Sequence, residues 1–132
     1  MPAAVYLDSS AIVKLAVREP ETDALRRHLR RRRLDWVSSA LARTEVQRAL
    51  LAAGADAVAS GHAILARCDL VRVNDRVLNL AGTLMPHELR SLDAIHLATA
   101  ERLRGSLKEL ITYDDRLAAA AAAMGHRVVA PD

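Results

Sequence analysis

Short apolar runs alternate with helix-period segments along the whole chain. Residues 3–7 read as a buried strand, and Ile12, Leu15 and Ala16 then recur at helical spacing until "REPE" breaks the pattern. A second helix is expected over about 21–33. "DWVSS" is a short extended piece in which Ser38 or Ser39 can cap the next helix, starting at about Ala40. That helix, "ALARTEVQRALLAA", stops at Gly54, and "DAVASGHAILARC" forms another, weakened in its middle by Gly61. "LVRVN" alternates like a strand, "DRVLNLAGTLM" is helical as far as Pro86, and "SLDAIHLATAERLR" is helical with Ser91 as its cap. "ELITY" is a further strand, "DDRLAAAAAAMG" a helix ended by Gly125, and "RVVA" a last strand. Strands separated by one or two helices require crossovers, so the pattern predicts an α/β fold with a mainly parallel central sheet covered on both faces. In such sheets, sites form beyond the carboxyl ends of the strands, where loops and helix N-termini gather.

A chain of 132 residues is expected to form one domain, 1–132, with a core large enough to need no disulfide or metal staple. Its only aromatic residues are Tyr6, Trp36 and Tyr113, so the core is built from Ala, Leu, Val and Ile, and stacking of bases on aromatic side chains is not an expected binding mode. A single cysteine, Cys68, excludes an internal disulfide and reads as a small buried hydrophobe. No leader-like start and no apolar run near the roughly 18 residues of a membrane span are present, so a soluble cytoplasmic protein without a membrane partner is expected. Net charge is +3, which permits a polyanionic partner without requiring one. The basic residues are concentrated in "RRHLRRRRLDW", where Arg26, Arg27, Arg30, Arg31, Arg32 and Arg33 form either a solvated helix face or a patch for phosphate or an acidic partner.

The acids stand where local structure gives them little to do. Asp8 closes the first strand; it either caps the next helix or, if Ser9 or Ser10 caps, is free for another task. Glu45 lies at the edge of an apolar helix stripe, where Arg43 or Arg48 could pair with it. Asp93 occupies the first turn of a helix otherwise rich in Leu, Ile and Ala, so it must be paired, bound to a cation or held by the helix N-terminus; His96 is one turn on. Asp114 and Asp115 follow a strand directly; Asp115 reads as the cap or an outer acid and Asp114 as the site residue. All belong to one end of the predicted sheet. Carboxylates gathered there cannot all ionise at neutral pH without a counter-charge, which a divalent cation supplies. Oxygen donors with room for water suit Mg²⁺ or Mn²⁺. The five scattered histidines and lone cysteine form no zinc pattern.

In that order, "YLDSSAIVKL", "TEVQRAL", "SLDAIHLATA" and "LITYDDRL" resemble the PIN domain and, within it, the VapC-type toxins of toxin–antitoxin pairs. The resemblance covers essentially the whole chain and is most specific from Ser91 to Ala100 and at Thr112 and Asp114. It implies a PIN-like three-layer α/β/α sandwich whose acidic site falls on Asp8, Glu45, Asp93 and Asp114, with metal held by Asp8, Asp93 and Asp114 and with Ser10, Thr112 and Asp115 as supporting groups. It further implies a Mg²⁺- or Mn²⁺-dependent endoribonuclease acting on an RNA substrate, neutralised by a cognate VapB-type antitoxin and homodimeric. Arg30, Arg31, Arg32 and Arg33 would then meet RNA or the antitoxin. Rival chemistries lack their residues. An aspartyl-nucleophile phosphatase wants an acid where Ser10 stands, a phospho-acceptor domain wants a suitably placed late lysine, and a phosphate-binding loop wants clustered glycines. The remaining alternative is a PIN-like module that binds RNA or protein without cutting, which would have no need of the repelling acid set.

Overall fold

The first strand, β1 (Ala4–Leu7), is apolar at every position because it lies at the middle of the sheet and both its faces are covered. The structure, a computed structural model, describes residues 2–132. After β1 the chain forms α1 (Ser9–Ala16), α2 (Thr22–Arg32), β2 (Asp35–Ser39), α3 (Ala42–Leu50), α4 (Ala55–Ala66), β3 (Asp69–Val71), α5 (Asp75–Ala81), α6 (Ser91–Arg102), β4 (Leu107–Ile111), α7 (Asp115–Ala123) and β5 (Val128–Val129). The strands are ordered β3-β2-β1-β4-β5 and every pair is parallel. The predicted sandwich is therefore present, with a wholly parallel sheet.

Alternation along β1 divides the core. Val5 and Leu7 point into one layer with Ile12 and Leu15 of α1, Leu25 and Leu29 of α2, Val46 and Leu50 of α3, and Leu65 of α4. Ala4 and Tyr6 point into the other, with Leu97 of α6 and Leu117 and Ala121 of α7. Each large aliphatic side chain buried in these layers contributes about 1.5–3 kcal/mol relative to exposure.

Element boundaries differ from the pattern where tertiary contacts decide. The strand expected in "LVRVN" is reduced to β3, an edge strand that pairs only with β2. The helix expected as far as Pro86 ends at Ala81, with Gly82 as its C-cap. Ser91 is the first helical residue of α6 and not its cap; Arg90 holds the cap position with extended backbone. Ser38 faces the core, and it is Ser39 whose Oγ accepts a hydrogen bond from the Leu41 backbone N–H. Gly61 serves a purpose the helix propensity hides: a Cβ there would lie 2.5 Å from Leu50 Cδ1 and 2.9 Å from Gln47 Oε1, so its absence lets α4 close on α3.

Candidate active site

Asp8 stands at the carboxyl end of β1 and caps α1. Its backbone is extended (φ −76°, ψ 178°), the conformation an N-cap needs, whereas Ser9 and Ser10 are already helical and cannot take that place. Of the two alternatives the sequence left open, Asp8 itself is the cap. Asp8 Oδ1 accepts from the Ala11 N–H at 3.0 Å and from Ser10 Oγ at 2.6 Å; Oδ2 accepts from Thr112 Oγ1 at 2.6 Å. Ser10 and Thr112, the two supporting hydroxyls singled out from the sequence, both brace this one carboxylate. Ser10 Oγ in turn accepts from the Tyr113 N–H at 2.9 Å, which ties the start of α1 to the end of β4.

The cap of α7 is Asp114 and not Asp115. Asp114 Oδ1 accepts from the backbone N–H groups of Arg116 and Leu117 at 2.9 and 3.1 Å, and its own N–H donates to Thr112 Oγ1 at 3.0 Å. Asp115 is the first helical residue and is exposed. Capping occupies one oxygen of Asp114, so the residue serves the helix and retains its second oxygen for the site.

Glu45 pairs with neither Arg43 nor Arg48. Its Oε1 accepts from Ser9 Oγ at 2.7 Å and from His96 Nε2 at 2.6 Å. His96, buried on α6, is bonded through Nδ1 to the Tyr6 hydroxyl at 2.8 Å. The sequence placed His96 beside Asp93 without a partner. The Tyr6–His96–Glu45 chain was invisible there because its members are far apart in sequence and on different elements; a histidine on an apolar helix three residues after an acid was the only signal. Lys14 was also missed. Its ammonium lies 3.1 Å from Glu21, 3.5 Å from Glu19 and 4.8 Å over the Tyr113 ring, at the rim of an open cleft of about 440 Å³ that Glu45, Ser9 and Ser10 also line.

Electrostatics bind the acids into one group. Burial pushes the Asp8 carboxyl above its usual range, against the opposing hydrogen bonds from Ser10, Thr112 and Ala11. Asp93 is also raised, first by burial and then by the nearby Asp114 carboxylate, with a further contribution from Asp8. Burial acts on Glu45 in the same direction, but the hydrogen bonds from His96 and Ser9 outweigh it and hold that carboxyl below its usual range. Asp93 thus feels Asp114 and Asp8 as like charges, while Glu45 has its own support.

Among the described residues no three His, Cys, Asp or Glu side chains are grouped so that they could hold a metal ion between them. A hard divalent cation asks for fewer protein ligands, usually one or two carboxylates together with water and substrate phosphate. Asp8 is the fitting anchor: a carboxylate 4 % exposed, made costly by burial and oriented by three donors, is stabilised when a cation arrives.

The arginines do not act as one patch. Arg30 and Arg33 line a cleft of about 470 Å³ with Leu29, Trp36, Ile64 and Arg67. Arg31 lines a different cleft with His28 and Val129, and Arg32 Nε lies 3.6 Å from the buried Glu109. Successive residues on a helix point about 100° apart, so four in a row must diverge. The first cleft lies near the amino end of β2, since Leu34 precedes that strand and Trp36 pairs with Val5, away from the strand ends that carry the acids. Cys68 is half-buried; burial pushes its thiol up to about 11, and its Sγ donates to the Ile64 carbonyl. No described helix is long and apolar enough to cross a membrane.

The profile of the PIN domain matches residues 5–123. The chain is 64 % identical over 129 residues to ribonuclease VapC46 of Mycobacterium tuberculosis, covering 98 % of each chain. It is 43 % identical over 131 residues to ribonuclease VapC35 of the same organism, covering 96 % of each. Among solved structures it superposes on M. tuberculosis VapC20, described as a sarcin-ricin loop cleaving toxin, with a TM-score of 0.76, 19 % identity and coverage of 97 % and 100 %. A chain of a toxin–antitoxin complex from Klebsiella pneumoniae matches with a TM-score of 0.73, 21 % identity and 98 % coverage of both chains.

Proposed function

The chain belongs to the PIN-domain family, on its VapC ribonuclease branch, and from that premise we propose that it is an endoribonuclease, the toxin of a toxin–antitoxin pair, whose Mg²⁺ or Mn²⁺ is held by Asp8, Asp93 and Asp114. The observation that supports the site assignment is that Asp93 feels the carboxylates of both Asp114 and Asp8, acids from two other stretches of chain that raise its cost of ionisation. A binding module without chemistry gains nothing from that cost.

In this mechanism Asp8 provides the fixed anchor, because Ser10, Thr112 and the Ala11 N–H leave its carboxylate no rotational freedom. Asp114, held at Oδ1 by the N-terminus of α7, has its other oxygen unused by the cap. The ion, when bound, neutralises charge on the scissile phosphate and lowers the pKa of the attacking water. Glu45 acts as the general base. Its Oε1 is occupied by Ser9 and His96, and its Oε2 takes the proton of the attacking water. Thr112 keeps Asp8 and Asp114 in register by donating to one and accepting from the backbone of the other.

The partner reading follows the placement of the arginines. Arg30 and Arg33, with Arg26 and Arg67, surround an apolar floor of Leu15, Leu29, Leu34 and Ile64, which suits an acidic amphipathic antitoxin segment better than an RNA strand running to the acids. Arg31 and Arg32 fall outside that contact. Exposed Leu78, Met85 and Leu92 support a homodimer.

The test is RNA cleavage by the purified protein. Cutting is expected with Mg²⁺ or Mn²⁺, to stop with chelator, and to be lost in Asp8→Asn and Asp93→Asn proteins that keep the wild-type circular dichroism spectrum. Wild-type cleavage by either variant would remove the catalytic assignment. RNA-end sequencing after brief induction identifies the target.

A further inference from the structure

Building on the ribonuclease reading, we infer that Tyr6 and His96 are positioning residues that lock Glu45 from behind, so that Oε1 is held and Oε2 alone faces the reaction cleft. Tyr6 is fully buried and His96 is 2 % exposed, so neither can touch RNA; any effect they have on cleavage passes through Glu45. The chain crosses three elements. Tyr6 projects from β1 toward α6, its hydroxyl meets His96 Nδ1 at 2.8 Å, and His96 Nε2 meets Glu45 Oε1 on α3 at 2.6 Å. The two rings stand edge to face at 83°, with centroids 5.9 Å apart, which fixes the imidazole plane.

Hydrogen-bond logic sets the tautomer. A carboxylate only accepts, so His96 must donate from Nε2. The other ring nitrogen, Nδ1, is engaged by the Tyr6 hydroxyl at 2.8 Å, and the Nε2–H is committed to Glu45. Ser9 Oγ donates to that same Oε1 at 2.7 Å, and no side chain among the described residues bonds Oε2. Two donors on one oxygen and none on the other produce a directed carboxylate, oriented as a base must be before substrate arrives. Glu45 also lines the open cleft beside Ser10 and Lys14, so the free oxygen has solvent to act on.

The test uses the full-length protein with three variants. Tyr6→Phe keeps the ring and removes only the hydroxyl; His96→Leu removes both contacts; His96→Gln restores a donor toward Glu45. With Mn²⁺ and a defined RNA, kcat is expected to fall on the order of 100-fold in His96→Leu, to fall less in Tyr6→Phe, and to recover in His96→Gln. KM and metal-free RNA binding should stay at the wild-type level. A second readout needs no activity: ¹⁵N-histidine spectra of the metal-free protein should show His96 with a protonated Nε2, and Tyr6→Phe should shift the Nδ1 resonance. Wild-type kcat in both Tyr6→Phe and His96→Leu, an equal loss of RNA binding and turnover, or an unmoved Nδ1 resonance would each overturn the inference. If the wild-type protein itself fails to cut RNA, the ribonuclease reading falls while the spectra still decide whether the chain exists.

Discussion

Thr112 donates from Oγ1 to Asp8 Oδ2 at 2.6 Å, joining residues 104 positions apart. This bond is the physical seam between the first and fourth strands at the site, because the same hydroxyl oxygen accepts the Asp114 N–H. Thr112→Val preserves shape and removes the donor. It leaves a buried carboxylate oxygen unpaired, a loss of about 1–3 kcal/mol. The expected outcome is an unfolding free energy lower by that amount, together with a weaker apparent affinity for Mn²⁺ in cleavage assays. Unchanged melting and metal titration would show that Asp8 draws its orientation from elsewhere.

Acid pH separates the acids by sign. Asp8 and Asp93 are raised above their ordinary 3.8, so between about pH 4 and those higher values the folded state holds more protons than the unfolded chain. Their ionisation weakens the metal-free protein, and that penalty is relieved as pH falls through the raised values. Glu45, lowered from 4.5, does the reverse: its contribution is complete above that ordinary value and is lost as pH falls through its folded one. In chelator, the change in melting temperature from about pH 7 down to about pH 4, near the ordinary carboxylate value, should be more favourable for wild type than for the Asp8→Asn/Asp93→Asn double variant. Equal changes in the two proteins would contradict the raised values. Divalent cation should raise the wild-type melting temperature at the higher pH and do so less at the lower.

The elements legible from the sequence are those with a strong local cause. β1 is a run of apolar residues with turn chemistry after it, and α2 has three turns of amphipathic periodicity. β3 was misjudged because "LVRVN" alternates well, yet only Asp69–Val71 finds a partner strand. Which of two adjacent acids caps a helix was equally hidden, since Asp114 and Asp115 have the same chemistry and only the backbone at Asp114, φ −92° and ψ 116°, distinguishes them. Asp8, Glu45, Asp93 and Asp114 could be picked out by position. Their partners could not, because Ser9, Tyr6 and His96 reach Glu45 only once α1, β1, α6 and α3 are packed.

Gly61 illustrates the same limit and yields a prediction. Propensity alone says that Gly61→Ala should stabilise α4 by roughly 1 kcal/mol. The contact of 2.5 Å between a Cβ there and Leu50 Cδ1 says otherwise, because Leu50 is 1 % exposed and packed in the core. Overpacking of this kind costs about 1–3 kcal/mol. Gly61→Val should therefore lower stability by at least that range in urea unfolding, and Gly61→Ala should gain nothing. A stabilised Gly61→Ala protein would show that α4 and α3 can separate without loss.

Glu109 carries no sequence signal that singles it out, for it reads as the polar start of a strand. It sits instead at the third position of β4, paired in register with Val5, and its side chain is wholly buried. His28 of α2 contacts Oε1, while Arg32 and Arg127 stand 3.6 and 3.8 Å from Oε2, too far to satisfy that oxygen by a direct hydrogen bond. Removing one partner of such a buried pair strands the other, at a cost on the order of 3 kcal/mol. His28→Leu should therefore destabilise strongly, whereas Glu109→Gln, which keeps the shape and removes the charge, should cost less. Chemical denaturation of the two single variants and the double checks this. His28→Leu should be much less damaging in the Glu109→Gln background, since the stranded charge is then gone. Equal losses in both backgrounds would mean that His28 holds α2 by packing alone.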